Sequence, residues 1–198
     1  MNNYEIIILC GKSGAGKNYL LQKIKNHFKD NLNYIVSDTT RPKRYKEVEG
    51  KDYHFISDIK FHAKKYLEKT CYRTKEGVWN YGTPLSALDS NKINIGIFNV
   101  DGIKQLFANS LIDENIKLHI YYISADDKTR LLRQLNREEY PNCLEICRRF
   151  LADEKDFKNL YKYPFKKIRN SSGLIDDQYA AVLIEEIDQI KADFDKMN

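Results

Sequence analysis

Residues 9–21 read LCGKSGAGKNYLL, with Gly11, Gly16 and Lys17 at the spacing G-x-x-x-x-G-K and Lys12, Ser13, Gly14 and Ala15 between the glycines. This pattern suits one kind of chemistry. Glycines let successive backbone N–H groups turn inward around an anion, and a helix starting at the second glycine adds partial positive charge. The lysine then reaches the β- and γ-phosphates of a nucleotide. The next position should carry a hydroxyl for magnesium, and it carries Asn18. An amide oxygen is also a hard ligand and can serve the ion directly or through a water. The spacing therefore predicts a variant loop in which phosphate binding persists. The alternative is that Asn18 only starts the helix and the phosphates alone hold the metal.

A second group of cations lies in SDTTRPKRYKEVEGKDYHFI, residues 37–56, where Arg41 and Arg44 bracket a proline. Two guanidinium forks on one loop suit a second phosphate, while the alternative is a solvated charged loop. A third group is TRLLRQLNREEYPNCLEICRRF, with Arg130, Arg133, Arg137, Arg148 and Arg149. Cations that close over a migrating phosphoryl group are what such a segment can deliver, because phosphoryl transfer depends on positioning and charge stabilisation. No catalytic histidine is implied; His27, His54, His62 and His119 read as packing or surface residues.

These residues need elements to position them. YEIIILC is a short apolar run ending at Gly11, too short for a signal segment or a membrane span, and reads as a buried first strand. Leu20, Leu21, Ile24 and Phe28 follow with helical spacing. NYIVS, INIGIFNV, KLHIYYIS and FKKIRN read as further strands. Ser57 reads as the N-cap of a helix running towards Glu68, and Glu76-Gly77 marks a hairpin. A basic helix is expected over roughly 126–138, another from about 143 after Tyr140-Pro141-Asn142, and an amphipathic helix closes the chain. Strands alternating with helices predict an α/β fold: a parallel sheet with helices on both faces.

The 198 residues suit one domain, and 31% charged against 42% hydrophobic residues is an ordinary globular composition. The net charge of +5 fits an anionic small molecule as well as nucleic acid, but no recognisable nucleic-acid module is present. Cysteines 10, 71, 143 and 147 form no C-x-x-C pair and read as buried, reduced thiols, although Cys143 and Cys147 fall one helical turn apart.

The chain resembles guanylate kinases over nearly its whole length. The family pattern S-x-T-T-R-x-x-R-x-x-E-x-x-G-x-D-Y-x-F is matched in register by Ser37, Thr39, Thr40, Arg41, Arg44, Glu47, Gly50, Asp52, Tyr53 and Phe55. WNYGTP resembles the next family element, Y-G-[ST]. The resemblance implies a P-loop NTPase-type three-layer fold with a small mixed monophosphate-binding insertion and a helical lid. The core would span 1–35, 86–125 and 149–198, the insertion 36–85 and the lid 126–148. It implies that Gly11 through Asn18 bind ATP and that Ser37, Arg41, Arg44, Tyr53 and Tyr81 hold the phosphate of GMP, with Thr83 near the guanine. Glu68 is the candidate acceptor for guanine N1–H and the exocyclic amine, or else a surface residue at a helix end. Asp101 matches an aspartate that reads guanine or orders the site, or else caps a helix; the family's D-x-D is here Asn99-Val100-Asp101. Arg137 and Arg149, with Arg148 close by, match the charge-stabilising lid positions and act with Lys17 and Arg41. Arg130 and Arg133 are left to an exposed basic helix face. Asn170 matches a residue near adenine, or is a strand-end turn residue.

Taken together, the resemblance implies a cytoplasmic, ATP-dependent GMP kinase using Mg2+, with dGMP as a second acceptor. It would be a monomer or homodimer without nucleic-acid or membrane partners. Two alternatives are a related kinase with another deoxynucleotide or a ribose bisphosphate as acceptor, and a guanylate-kinase-like module that only binds a phosphorylated ligand.

Overall fold

A computed structural model describes the chain apart from residues 1–2, 45–46, 75–76, 113–114, 138, 171–175 and 198. The organising element is β1 (Tyr4–Cys10), whose Ile6, Ile7, Ile8, Leu9 and Cys10 are all fully buried. Side chains alternate across a strand, so these five must be covered from both sides. Ile7 and Leu9 pack with Leu20, Ile24 and Phe28 of α1 (Lys17–Phe28) and with Leu183, Ile187 and Phe194 of α6 (Asp176–Met197). Ile6, Ile8 and Cys10 face Val100, Ile103 and Leu106 of α3 (Val100–Ile112), and Phe157 and Leu160 from a 3-10 turn at Phe157–Lys162.

Among the described residues the main sheet has five parallel strands. β1 lies between β7 (Ile93–Ile97) and β8 (Ile116–Ser124), with β2 (Leu32–Tyr34) and β9 (Lys166–Arg169) at the edges. The expected parallel sheet with helices on both faces is what the chain forms. A second, mixed sheet carries β3 (Asp38–Thr39), β4 (His54–Phe55), β5 (Tyr66–Thr74) and β6 (Gly77–Pro84) in the order β4-β3-β6-β5. Residues 75–76 at the tip of the β5–β6 hairpin, including Glu76 of the expected turn, lie outside the described residues.

Several elements differ from the sequence reading. Ser57 does cap a helix, accepting from the Lys60 N–H, but that helix, α2, covers only Asp58–His62. Tyr66 stacks on Phe61 and bonds Asp38, and Leu67 is buried, so the chain turns into β5 and Glu68 sits on a strand. NYIVS yields a strand only as far as Tyr34. The basic helix α4 (Asp127–Leu135) is capped by Asp126 and ends before Arg137. Cys10 is buried, which raises its thiol to about 12, whereas Cys71, Cys143 and Cys147 are exposed: the last two lie on α5 (Cys143–Asp156), which has no fully buried residue. No described helix is long and apolar enough to cross a membrane.

A polar residue inside the sheet ties the connection before β7 to the core. The fully buried Asn94 donates from Nδ2 to the carbonyls of Glu5, Asp89 and Lys92, and its Oδ1 accepts from Asn33 Nδ2 and Asp89 N–H. Removing a buried network of this kind leaves several groups without partners. Asn94→Ala is expected to destabilise the fold by roughly 2–4 kcal/mol, read as a lower urea midpoint at unchanged m-value. A loss below about 0.5 kcal/mol, the scale of an ordinary surface substitution, would show that the network contributes nothing.

Candidate active site

The first part of the site leaves the buried end of β1 as the glycine loop Gly11–Gly16. Gly16 has φ 95°, and a Cβ there would lie 2.1 Å from Asn170 Nδ2, so both the backbone and the close approach require glycine. α1 begins next with no side-chain cap and no acidic residue in its first turn, leaving its N-terminal donors directed at the loop. Lys17 Nζ donates to the carbonyls of Gly11 at 2.6 Å and Lys12 at 3.3 Å. Burial pushes its ammonium below the usual lysine range, while Asp153 pulls it back up. Asn18 is exposed at the rim of a cleft. Asn170, 2% exposed, follows β9 and donates from Nδ2 to the Ala15 carbonyl at 2.8 Å. It thus braces the loop, a role visible in neither sequence reading of this residue.

The second part is built on the mixed sheet. Arg41 is 3% exposed and lies against the rings of Tyr53 and Phe55. Its fork meets Glu47 in two bonds of 2.9 and 2.8 Å, and its Nε donates to Tyr81 Oη at 3.1 Å. Burial alone would lower the guanidinium pKa, but the Glu47 and Tyr81 contacts leave it raised. Glu47 also accepts from the Arg44 N–H, so one carboxylate organises both arginines. Glu47 was legible as a motif position, but not as the partner of Arg41. The Arg44 side chain is exposed and lines the cleft with Ser37 and Tyr53.

Ser37, Thr83 and Glu68 form a chain of hydroxyls ending on an acid. Ser37 Oγ lies 2.9 Å from Thr83 Oγ1, which donates to Glu68 Oε1 at 2.8 Å. Glu68 is 7% exposed. Burial pushes its carboxyl up; Thr83 pulls it down, and the Asp101 charge adds to the rise. The backbone on either side is fixed by α3: Gln105 accepts from the Lys69 N–H and donates to its carbonyl, and Asn109 donates to the Leu67 carbonyl. Glu68 is therefore a buried strand acid and not a surface residue at a helix end. Asp101 is exposed and accepts from Gln105; the helix-capping bond, to the Gly102 N–H, comes from Asn99 instead.

The lid arginines divide. Arg137 is exposed and lines the same cleft, of about 1010 Å³, as Asn18, Ser37, Arg44 and Tyr53. Arg148 and Arg149 are exposed on α5 and share Glu145, whose carboxyl the Arg148 and Arg149 bonds pull down to about 2. Arg130 and Arg133, expected on an exposed face, are not there. Arg130 is 1% exposed behind the glycine loop, and Arg133 is half-buried, donating to the Asn170 carbonyl. The reason is tertiary: α4 packs against α5 and turns its basic side towards carbonyls and carboxylates that a helical repeat cannot reveal.

Known proteins resemble this chain in sequence and fold. A family model for guanylate kinase matches residues 3–182. A guanylate kinase of Campylobacter jejuni (strain RM1221) is 29% identical over 187 residues, covering 90% of this chain and 87% of its own length. A guanylate kinase of Wigglesworthia glossinidia brevipalpis is 31% identical, covering 96% of this chain and 92% of its own length. The crystal structure of guanylate kinase from Anaplasma phagocytophilum aligns over 96% of this chain and 87% of its own, with a TM-score of 0.59 at 16% identity, a likeness of fold. With the family pattern matched across both parts of the cleft and along nearly the whole sequence, this chain belongs to the guanylate kinase family, the nucleoside monophosphate kinases that phosphorylate GMP.

Proposed function

We propose that the protein transfers the terminal phosphoryl group of ATP to GMP by in-line displacement, with dGMP as a second acceptor. The observation that carries this reading is the shared cleft: Asn18, in the first turn of α1 directly after the glycine loop, lines one volume with Ser37, Arg44 and Tyr53 of the acceptor segment and with Arg137. In-line transfer needs donor and acceptor phosphates held in one water-poor space.

In this scheme the glycine loop and α1 bind the ATP phosphates, and Lys17 exchanges its carbonyl partners for phosphate oxygens. Arg44, Ser37 and Tyr53 bind the acceptor phosphate, while Arg41 adds charge and holds the Tyr81 hydroxyl for it. Arg137, Arg148 and Arg149 complete the charge around the migrating group on lid closure. Leaving Glu145 costs the last two little, because exposed ion pairs contribute only about 0–1 kcal/mol. The acceptor is already anionic, so no general base is required. Glu68 and Thr83 read the guanine edge, with Asp101 nearby.

Among the described residues no cluster of three His, Cys, Asp or Glu side chains could cage a metal. Magnesium entering with the ATP phosphates suits this site, because that ion keeps most of its waters and takes few protein ligands. Asn18 fits as one oxygen contact, direct or through water. When bound, the ion supplies charge neutralisation between the phosphates.

The decisive assay is ADP release from Mg·ATP against GMP, dGMP, AMP, UMP, CMP and ribose phosphates. Turnover confined to the guanine acceptors is expected; turnover with another acceptor would overturn the base assignment, and none with retained GMP binding would leave a binding module. Asn18→Ser should shift the magnesium dependence while the GMP KM stays put, and equal shifts in both would sink the assignment of Asn18 to the donor side.

Glu68 yields a pH prediction. Its buried carboxyl has a raised pKa, whereas guanine N–H donors favour the carboxylate, so GMP binding should release a proton. Affinity should therefore fall as pH drops through the Glu68 pKa and level off above it. Glu68→Gln should raise the GMP KM by roughly one to two orders of magnitude and flatten that dependence. A GMP KM in the variant with the wild-type pH profile would rule Glu68 out as the guanine acceptor.

A further inference from the structure

Behind the glycine loop lies a group of charges that phosphoryl transfer itself does not use. Among the described residues Arg130 of α4 is the largest fully buried side chain, and its guanidinium sits 4.4 Å from the Phe150 ring centroid. Its Nε donates to the Ser13 carbonyl at 3.1 Å. One terminal nitrogen donates to Asp127 at 2.8 Å and Glu154 at 3.2 Å, and the other to Asp153 Oδ2 at 3.4 Å. The same Asp153 Oδ2 accepts from the Ser13 N–H at 2.6 Å. Lys12 pairs with Glu154 beside them. A single ion pair thus holds both peptide groups of Ser13.

A buried arginine is costly unless its donors are met, so this group is built into the fold at some expense. The expense falls on a loop residue and not on the hydrophobic core. Asp153 alone would set a negative charge next to a phosphate-binding loop and oppose an anion. Arg130 cancels that charge while leaving the oxygen as an acceptor, which preserves the geometry without the repulsion.

We propose that Arg130 and Asp153 are positioning residues for the phosphate loop: they hold Ser13 by its N–H and its C=O, so that the loop is shaped before nucleotide arrives. Because Arg130 belongs to α4 and Asp153 to α5, the clamp also ties loop geometry to the two helices that flank the lid turn. A preformed nest loses less conformational freedom on binding than a slack one, and that difference appears as affinity for the donor. The inference rests on the reading that this loop binds ATP.

The test compares Asp153→Ala with Asp153→Asn, which keeps an oxygen for the Ser13 N–H. Calorimetric binding of Mg·ATP and of inorganic triphosphate is measured alongside separate KM values for ATP and GMP, kcat and the melting temperature. Asp153→Ala is expected to weaken both triphosphate ligands roughly five- to tenfold, the scale of one lost hydrogen bond. The GMP KM should stay within about twofold, and Asp153→Asn should recover most of the affinity. Four results would each overturn the proposal: unchanged ATP affinity in Asp153→Ala, tighter binding in it, equal shifts for ATP and GMP, or an asparagine variant as weak as the alanine one. Wild-type protein that fails to bind Mg·ATP would instead remove the donor reading itself, and this device with it, before any variant is made.

Discussion

A nest of backbone N–H groups has no stiffness of its own: the donors repel one another when they converge, and glycines make the loop floppier still. The surrounding structure has to impose the shape. Here β1 supplies the base, because five consecutive buried residues pin its end between two packed helical layers. Asn170 holds the Ala15 carbonyl from the end of β9, and Arg130 and Asp153 hold Ser13 from α4 and α5. The loop is gripped from several elements that are distant in sequence and meet only because β1 lies at the centre of the sheet.

The acceptor side is held by a different device. The mixed sheet is small, and its outer strand β5 would expose backbone groups along its edge. α3 covers part of that edge with the amides of Gln105 and Asn109, which bond the backbone next to Glu68. A helix of the main layer therefore sets where the buried acid stands. Arg41 is fixed within its own segment, by Glu47, Tyr81 and the flanking rings. The two halves of the cleft are thus joined through α3, which packs on β1 with one face and bonds β5 from its polar side chains.

Charge is treated differently in the two places where arginine matters. Arg41 and Arg130 are buried, and each meets carboxylates at hydrogen-bonding distance, so their role is to fix geometry. Arg137, Arg148 and Arg149 are exposed, and the latter two share a single surface carboxylate. Surface pairs of that kind exchange readily, as the proposed movement of these cations towards a substrate would require.

Much of this was legible in the chain itself. Apolar runs of strand length, separated by helical repeats, determined the parallel sheet and its two helical faces, because only that layering buries Ile6 through Cys10 on both sides. The spacing of Gly11, Gly16 and Lys17, and the register from Ser37 to Phe55, determined the loop and the acceptor segment, since local backbone geometry and motif spacing are properties of short stretches. What the tertiary structure alone decided are the long-range polar contacts. Glu68 became a strand acid because Tyr66 and Leu67 found partners in Phe61, Asp38 and the core. Arg130 left the surface because Asp153 and Glu154, more than twenty residues on, approach the same loop, and Asn170 became a brace because β9 ends beside Ala15. A helical repeat reports which residues share a face, but not what that face meets; hydrogen-bond partners separated by up to 155 residues are set by how the layers close.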